Sequence, residues 1–100
     1  MVKIETSVEH RLGNQLALNR LHEMVDTLED RFRDQVHRVE RNWNGNELDI
    51  SFAAYGYRIQ WHATVLSDRI ALTGNIPSNA KAFRDKIEQA IVARVEAIFE

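Results

Sequence analysis

Apolar and polar residues alternate through three successive segments of residues 42–74, separated by turn residues. Leu48, Ile50, Phe52 and Ala54 fall on one side, with Glu47, Asp49 and Ser51 on the other. Tyr57, Ile59, Trp61, Ala63 and Val65 repeat the pattern against Arg58, Gln60, His62 and Thr64. Successive side chains of a strand point to opposite faces, so this period of two describes an antiparallel sheet with one buried and one hydrated face. It predicts strands over residues 47–54, 58–66 and 69–74, joined at Tyr55-Gly56 and Ser67-Asp68. Val2, Ile4, Thr6 and Val8 alternate with Lys3, Glu5, Ser7 and Glu9 to give an earlier strand. Residues 36–43 supply another, with Val39, Arg41 and Trp43 on one side. Asn44-Gly45 reads as a two-residue type I′ hairpin loop, since both residues tolerate positive φ.

Two segments follow the helical period instead. Over residues 14–35, Ala17, Leu21, Met24, Val25, Leu28 and Phe32 form one stripe, with Asn14 placed as N-cap and Glu29 and Arg33 spaced for an ion pair. After Pro77, with Ser78 or Asn79 as cap, Phe83, Ile87, Ala90, Ile91, Val95 and Ile98 form a second stripe flanked by Lys81–Asp85 and Arg84–Glu88. The order is β-α-β-β-β-β-α. One amphipathic sheet and two amphipathic helices have a simple joint solution: an α+β two-layer sandwich, an antiparallel-rich sheet with both long helices on one face. The first strand is expected to pair beside one of the later ones, and residues 1–100 to form one domain.

Composition narrows the chemistry. At 44% apolar and 28% charged residues the chain reads as folded throughout. It has no cysteine, which removes disulfides, thiol catalysis and thiolate metal sites, and fits a reducing compartment. No basic, apolar leader opens the sequence and no apolar run approaches the roughly 20 residues of a membrane span, so a cytoplasmic location is expected. Thirteen basic residues face 15 acidic ones, for a net charge of −2. Arg31 and Arg33 sit among Asp30 and Asp34, and lysine is confined to Lys3, Lys81 and Lys86. A nucleic-acid binder needs a dense basic stripe to neutralise phosphates, so nucleic acid is not an expected partner.

Candidate chemistry centres on the histidines and aromatics. His22 and Asp26 lie one helical turn apart, but two ligands do not make a metal site. His62 shares the polar sheet face with Arg58, Gln60 and Thr64, near Asp49 and Ser51, the residue types of a nucleophilic triad. Any half-exposed sheet shows such residues, and a solvated face is the simpler reading. Trp43, Tyr55, Tyr57 and Trp61 cluster near arginines as in sheet-surface RNA binders, yet Tyr57 and Trp61 alternate in phase with Ile59 and belong to the core. No phosphate loop, nucleophile elbow or dinucleotide fingerprint occurs, and no cofactor is expected.

Three local patterns carry a family resemblance. They are His10-x-Leu12-Gly13 after a strand, Trp43-Asn44-Gly45-Asn46-x-Leu48, and Leu72-x-Gly74-x-Ile76-Pro77 before a helix with Phe83 and Lys86-Ile87-Glu88. Their order and spacing resemble the polyhydroxyalkanoic acid system proteins over nearly the whole chain. The resemblance implies a non-enzymatic accessory or binding role in polyhydroxyalkanoate metabolism, with a storage granule or granule-associated protein as partner. It singles out His10 and Gly13, whose simpler role is turn chemistry; Arg58 and His62 complete the candidate binding residues. The element order is also similar to that of ribosome hibernation factors, which occupy an RNA channel. A third possibility is an acyl ligand held between the layers by Met24, Phe32, Trp61 and Phe83. A homodimer through an exposed edge strand or the polar face is compatible with the pattern.

Overall fold

A computed structural model describes residues 2–31, 33–54 and 56–99, without the side chain of Glu29. The expected core place of Phe32, the turn at Tyr55 and the Glu29–Arg33 pair lie outside the described residues. Strand β1 (Val2–Glu9) leads into helix α1 (Gly13–Arg31). Strands β2 (Val36–Asn44), β3 (Glu47–Ala54), β4 (Tyr57–Val65) and β5 (Arg69–Ile76) follow as a meander. A 3₁₀ helix (Ser78–Phe83) runs into α2 (Arg84–Ala97). All neighbours are antiparallel in the order β1-β5-β4-β3-β2. The first strand therefore pairs with the last, and α1 must carry the chain from one edge of the sheet to the other. Four inter-strand spacings span about 19 Å, and a 19-residue helix reaches about 28 Å. The helix is long enough for that crossing.

The two faces of the sheet separate as the alternation requires. Ile4, Leu48, Ile50, Phe52, Ile59, Trp61, Leu72 and Ile76 are buried on the inner face, where Ala17, Leu21, Val25 and Leu28 of α1 and Ile87 and Val95 of α2 cover them. Both helices lie on this face, since residues from each enclose a single space over Ile50, Phe52 and Trp61. The outer face carries the cross-strand rows Asn42–Asp49–His62–Thr73–Glu5 and Glu40–Ser51–Gln60–Asn75–Lys3.

At the middle of the inner face, Arg41, Ile50, Trp61, Gly74 and Ile4 line up across all five strands. The Trp61 indole lies directly on Gly74. A Cβ at that glycine would sit 2.8–2.9 Å from three ring carbons. Gly74 has an ordinary strand backbone, so space for the indole, rather than an unusual φ, is what demands glycine here.

The structure corrects several boundaries. Asn44 pairs with Glu47, so the hairpin loop is Gly45-Asn46 and not Asn44-Gly45. Gly45 alone has a positive φ (60°), the pattern of a II′ rather than a I′ turn. Asn46 then donates its Nδ2 to the Val65 carbonyl at 2.8 Å, anchoring the loop to β4. Helix α1 starts at Gly13 (φ 77°), placing Asn14 inside the first turn, and ends at Arg31 instead of Gln35. Gln35 offers no apolar side chain to extend the stripe, and the chain must reverse there for Val36 to reach the core. The second helical segment opens as 3₁₀, without a side-chain cap from Ser78 or Asn79. That tighter turn buries Ala80 and leaves Phe83 exposed, resting against Tyr57 with ring centroids 6.0 Å apart. Ala90 is also exposed, while Arg84 bonds Asp85 at 3.2 Å.

Strand β2 holds a bulge that periodicity could not show. His37 pairs with Ala53 and Glu40 with Ser51, so β2 uses one residue more than β3 between them, with Arg38 at φ 55°. The extra residue resets the alternation, which lets both Val36 and Val39 pack against the core.

Gly74→Ala is expected to destabilise the fold by about 1–3 kcal/mol through overpacking against the buried indole, read from denaturant midpoints. Unchanged stability would mean that the indole can move aside without cost.

Candidate functional site

The connection after β1 is held by His10, a buried polar residue. Its Nε2–H donates to the Leu66 carbonyl at 3.0 Å, and its Nδ1 accepts the Leu12 amide at 3.2 Å. One donor and one acceptor on the ring define the neutral Nε2–H tautomer. The imidazole also stacks on Phe99 at 5.0 Å, and the His10 amide reaches the Asp68 carbonyl at 2.8 Å. His10 thus joins the start of α1, the β4–β5 turn and the end of α2. Gly13 supplies the positive φ with which α1 begins, and open space surrounds its missing Cβ. Both residues are occupied by architecture.

On the outer face, His62 sits between two carboxylates. Its Nδ1 lies 2.7 Å from Asp49 Oδ1 and its Nε2 3.2 Å from Glu47 Oε1, with the Thr64 hydroxyl 3.4 Å from Nε2. Only the imidazolium can donate to both acids at once. The hydrogen bond to Asp49 raises the His62 pKa; partial burial opposes this, and the bond to Glu47 and both negative charges reinforce it. The triad suggested by the sequence does not assemble, because Ser51 accepts from Arg58 Nη2 at 2.9 Å and His62 turns to Glu47 instead. Arg58 further donates to the Arg38 carbonyl at 3.1 Å and meets Glu40 at 3.2 Å, clamping the β2 bulge. A shallow polar hollow of about 460 Å³ lies beside these residues, over Asp49, Ser51, Gln60, His62 and Asn75.

His22, weighed as a metal ligand, stacks on Trp43 with centroids 3.6 Å apart, while Asp26 faces Arg41 at 3.7 Å. Among the described residues no group of three or more His, Cys, Asp or Glu is arranged to hold a metal ion, and no helix is long and apolar enough to cross a membrane.

The space between the layers is chemically different. A cavity of about 120 Å³ is walled by Met24, Val25 and Leu28 of α1, Ile50, Phe52, Ile59 and Trp61 of the sheet, and Ile87, Ile91 and Val95 of α2. Gln35 and Arg94 are its polar wall residues. Trp61 is 3% exposed, yet its Nε1–H has no hydrogen-bond partner. Leaving such a donor unpaired costs about 1–3 kcal/mol. Of the residues expected to line a space between the layers, two do so. Met24 and Trp61 line the cavity, Phe83 lies against Tyr57 outside it, and Phe32 is outside the described residues. Sequence reasoning missed Leu28, Ile91 and Arg94 as wall residues. A signal was present: Ala54, Ala63 and Ala90 are small residues on otherwise bulky apolar stripes, and all three border the cavity.

His10→Ala is expected to lower stability by about 1–3 kcal/mol, because it strands the Leu12 amide and Leu66 carbonyl; thermal and denaturant unfolding would measure it. The His62 site gives a pH-dependent difference. Its folded pKa exceeds the ordinary 6.5, so its contribution is complete below that value and is lost as pH rises through the raised one. With His62 and both acids partly exposed, the advantage of wild type over His62→Gln should be at most about 1 kcal/mol near pH 6 and should shrink by pH 9. A difference that grew with pH would contradict the two-carboxylate geometry.

Comparison with known proteins agrees with the three motifs. No curated protein and no solved structure matches the chain. Residues 4–99 match the family model described as "Putative polyhydroxyalkanoic acid system protein". His10-x-Leu12-Gly13, the Gly45 hairpin and the Gly74 segment all fall inside that match and hold the sandwich together, and the chain belongs to this family.

Proposed function

We propose that this protein is a non-catalytic accessory protein of polyhydroxyalkanoate metabolism that works by binding. The observation that carries the binding half is the largely apolar cavity of about 120 Å³ between the layers. Family membership over residues 4–99 supplies the metabolic setting. The non-catalytic half draws support from the polar side chains, whose hydrogen bonds go to one another and to the backbone: Ser51 to Arg58, His62 to Asp49 and Glu47, His10 to Leu66 and Leu12. A granule coat would need broad spare apolar surface. Here the large exposed apolar side chains among the described residues are Leu16 and Phe83, which favours association through a granule protein over direct coating. The outer face interleaves Glu40, Glu47 and Asp49 with Arg58 and His62, so its mixed signs do not favour an RNA channel.

The test is affinity capture of the tagged chain from a polymer-accumulating host, followed by protein identification. Enrichment of polymer-synthesising or granule-associated proteins over an unrelated tagged control is expected. Enrichment of ribosomal proteins, or of neither group, would overturn the proposal.

A further inference from the structure

We infer that the groove between α1 and α2, together with the cavity that adjoins it, is a binding site for a short aliphatic carboxylate, its head on Arg94 and its chain in the cavity. This deepens the binding role proposed above and rests on it.

Two spaces of opposite character meet at the same side chains. A groove of about 380 Å³ runs between the helices, lined by Arg20, Glu23, Met24 and Arg31 of α1, Arg94 of α2 and Ile98 just beyond it. Met24 and Arg94 also wall the largely apolar cavity of about 120 Å³. Arg94 is exposed, so it stands where that cavity reaches solvent. Among the described residues, three arginines against one glutamate make the groove positive, in a chain whose net charge is −2. Arg20 is held in position by its bond to the Ile98 carbonyl at 2.9 Å. Arg94 already has an interaction within the protein, and a guanidinium with five N–H donors has capacity for a further acceptor.

Each half of the site excludes a class of guest. Val25, Phe52, Ile87 and Ile91 offer only hydrocarbon, so a small inorganic anion gains nothing by entering the cavity. An alkane or alcohol would fill the cavity and leave the arginine charge unused, and an amine would meet it with like charge. A carboxylate on a short chain uses both halves. Its planar head fits the guanidinium fork in a bidentate pair, one of the stronger hydrogen-bonded contacts a protein makes. Gln35, the other polar wall residue, carries an amide that can donate to the same kind of head. Chain length follows from the space: an engineered cavity of about 150 Å³ takes benzene, so one of about 120 Å³ suits an alkyl segment of about five carbons. Ala54, Ala63 and Ala90 keep that space open where a leucine would fill it.

The experiment titrates the ¹⁵N-labelled full-length protein with hexanoate, hexan-1-ol and acetate at constant pH and ionic strength, read from backbone amides by NMR. Hexanoate is expected to move the Leu28, Ile87 and Ile91 amides saturably. It should bind roughly tenfold more tightly than hexan-1-ol, which keeps the chain and loses the charge. Acetate, which keeps the head and loses the chain, should leave those amides in place. Arg94→Gln changes an exposed side chain and spares the core. It should weaken hexanoate about tenfold and hexan-1-ol by less than about twofold. Amides that stay in place at millimolar hexanoate overturn the inference. So does hexan-1-ol binding as tightly as hexanoate, acetate reproducing the shifts, or Arg94→Gln binding hexanoate as wild type does. The affinity capture described above reads the metabolic setting separately, so failure here with success there would remove the ligand and retain the accessory role.

Discussion

The seating of one indole on one glycine organises this molecule. Trp61 reaches across β5 only because Gly74 has no side chain, and the row Arg41–Ile50–Trp61–Gly74–Ile4 becomes the floor on which both helices rest. A bulky ring beside a glycine gives the floor an uneven height. A cavity of about 120 Å³ lies over that floor, between it and the two helices.

The helices are positioned by a few long-range polar ties as well as by apolar burial. Arg41 at the end of the central row donates to the Val25 carbonyl of α1 at 2.8 Å, and the His22–Trp43 stack fixes the same helix to the edge strand. Arg20 of α1 donates to the Ile98 carbonyl at the end of α2 at 2.9 Å, and His10 stacks on Phe99. Carbonyls at a helix end lack intrahelical partners, and Arg20 of α1 supplies one to the end of α2. These ties hold α1 along its length and the end of α2, while Leu28 and Ile91 line the space between the helices and the sheet.

The two faces of the sheet divide the chemistry. Outside, His62 is engaged by two acids, and Arg58 by Ser51, Glu40 and the bulge carbonyl. Inside, among the described residues, the Trp61 Nε1–H is left without a partner. The space between the layers, more than the presence of a histidine on a surface, is the candidate site.

Much of this was legible in the residues themselves. Period-two and 3.6-residue patterns are local properties, so Leu48 through Val65 and Ala17 through Leu28 announced their elements and faces, and the family motifs were visible as turn and strand signatures. Tertiary structure decided what depends on residues distant in the chain. The pairing of β1 with β5, the bond from His10 to Leu66 across 56 positions and that from Arg20 to Ile98 across 78 leave no periodic trace. The bulge at Arg38 and the 3₁₀ opening that expels Phe83 are likewise settled by what packs beneath them. So is the unpaired indole. Hydrophobic periodicity assigns Trp61 to the interior, but whether its N–H finds an acceptor depends on which atoms the other strands and helices bring within 3.5 Å, and only the assembled fold sets that.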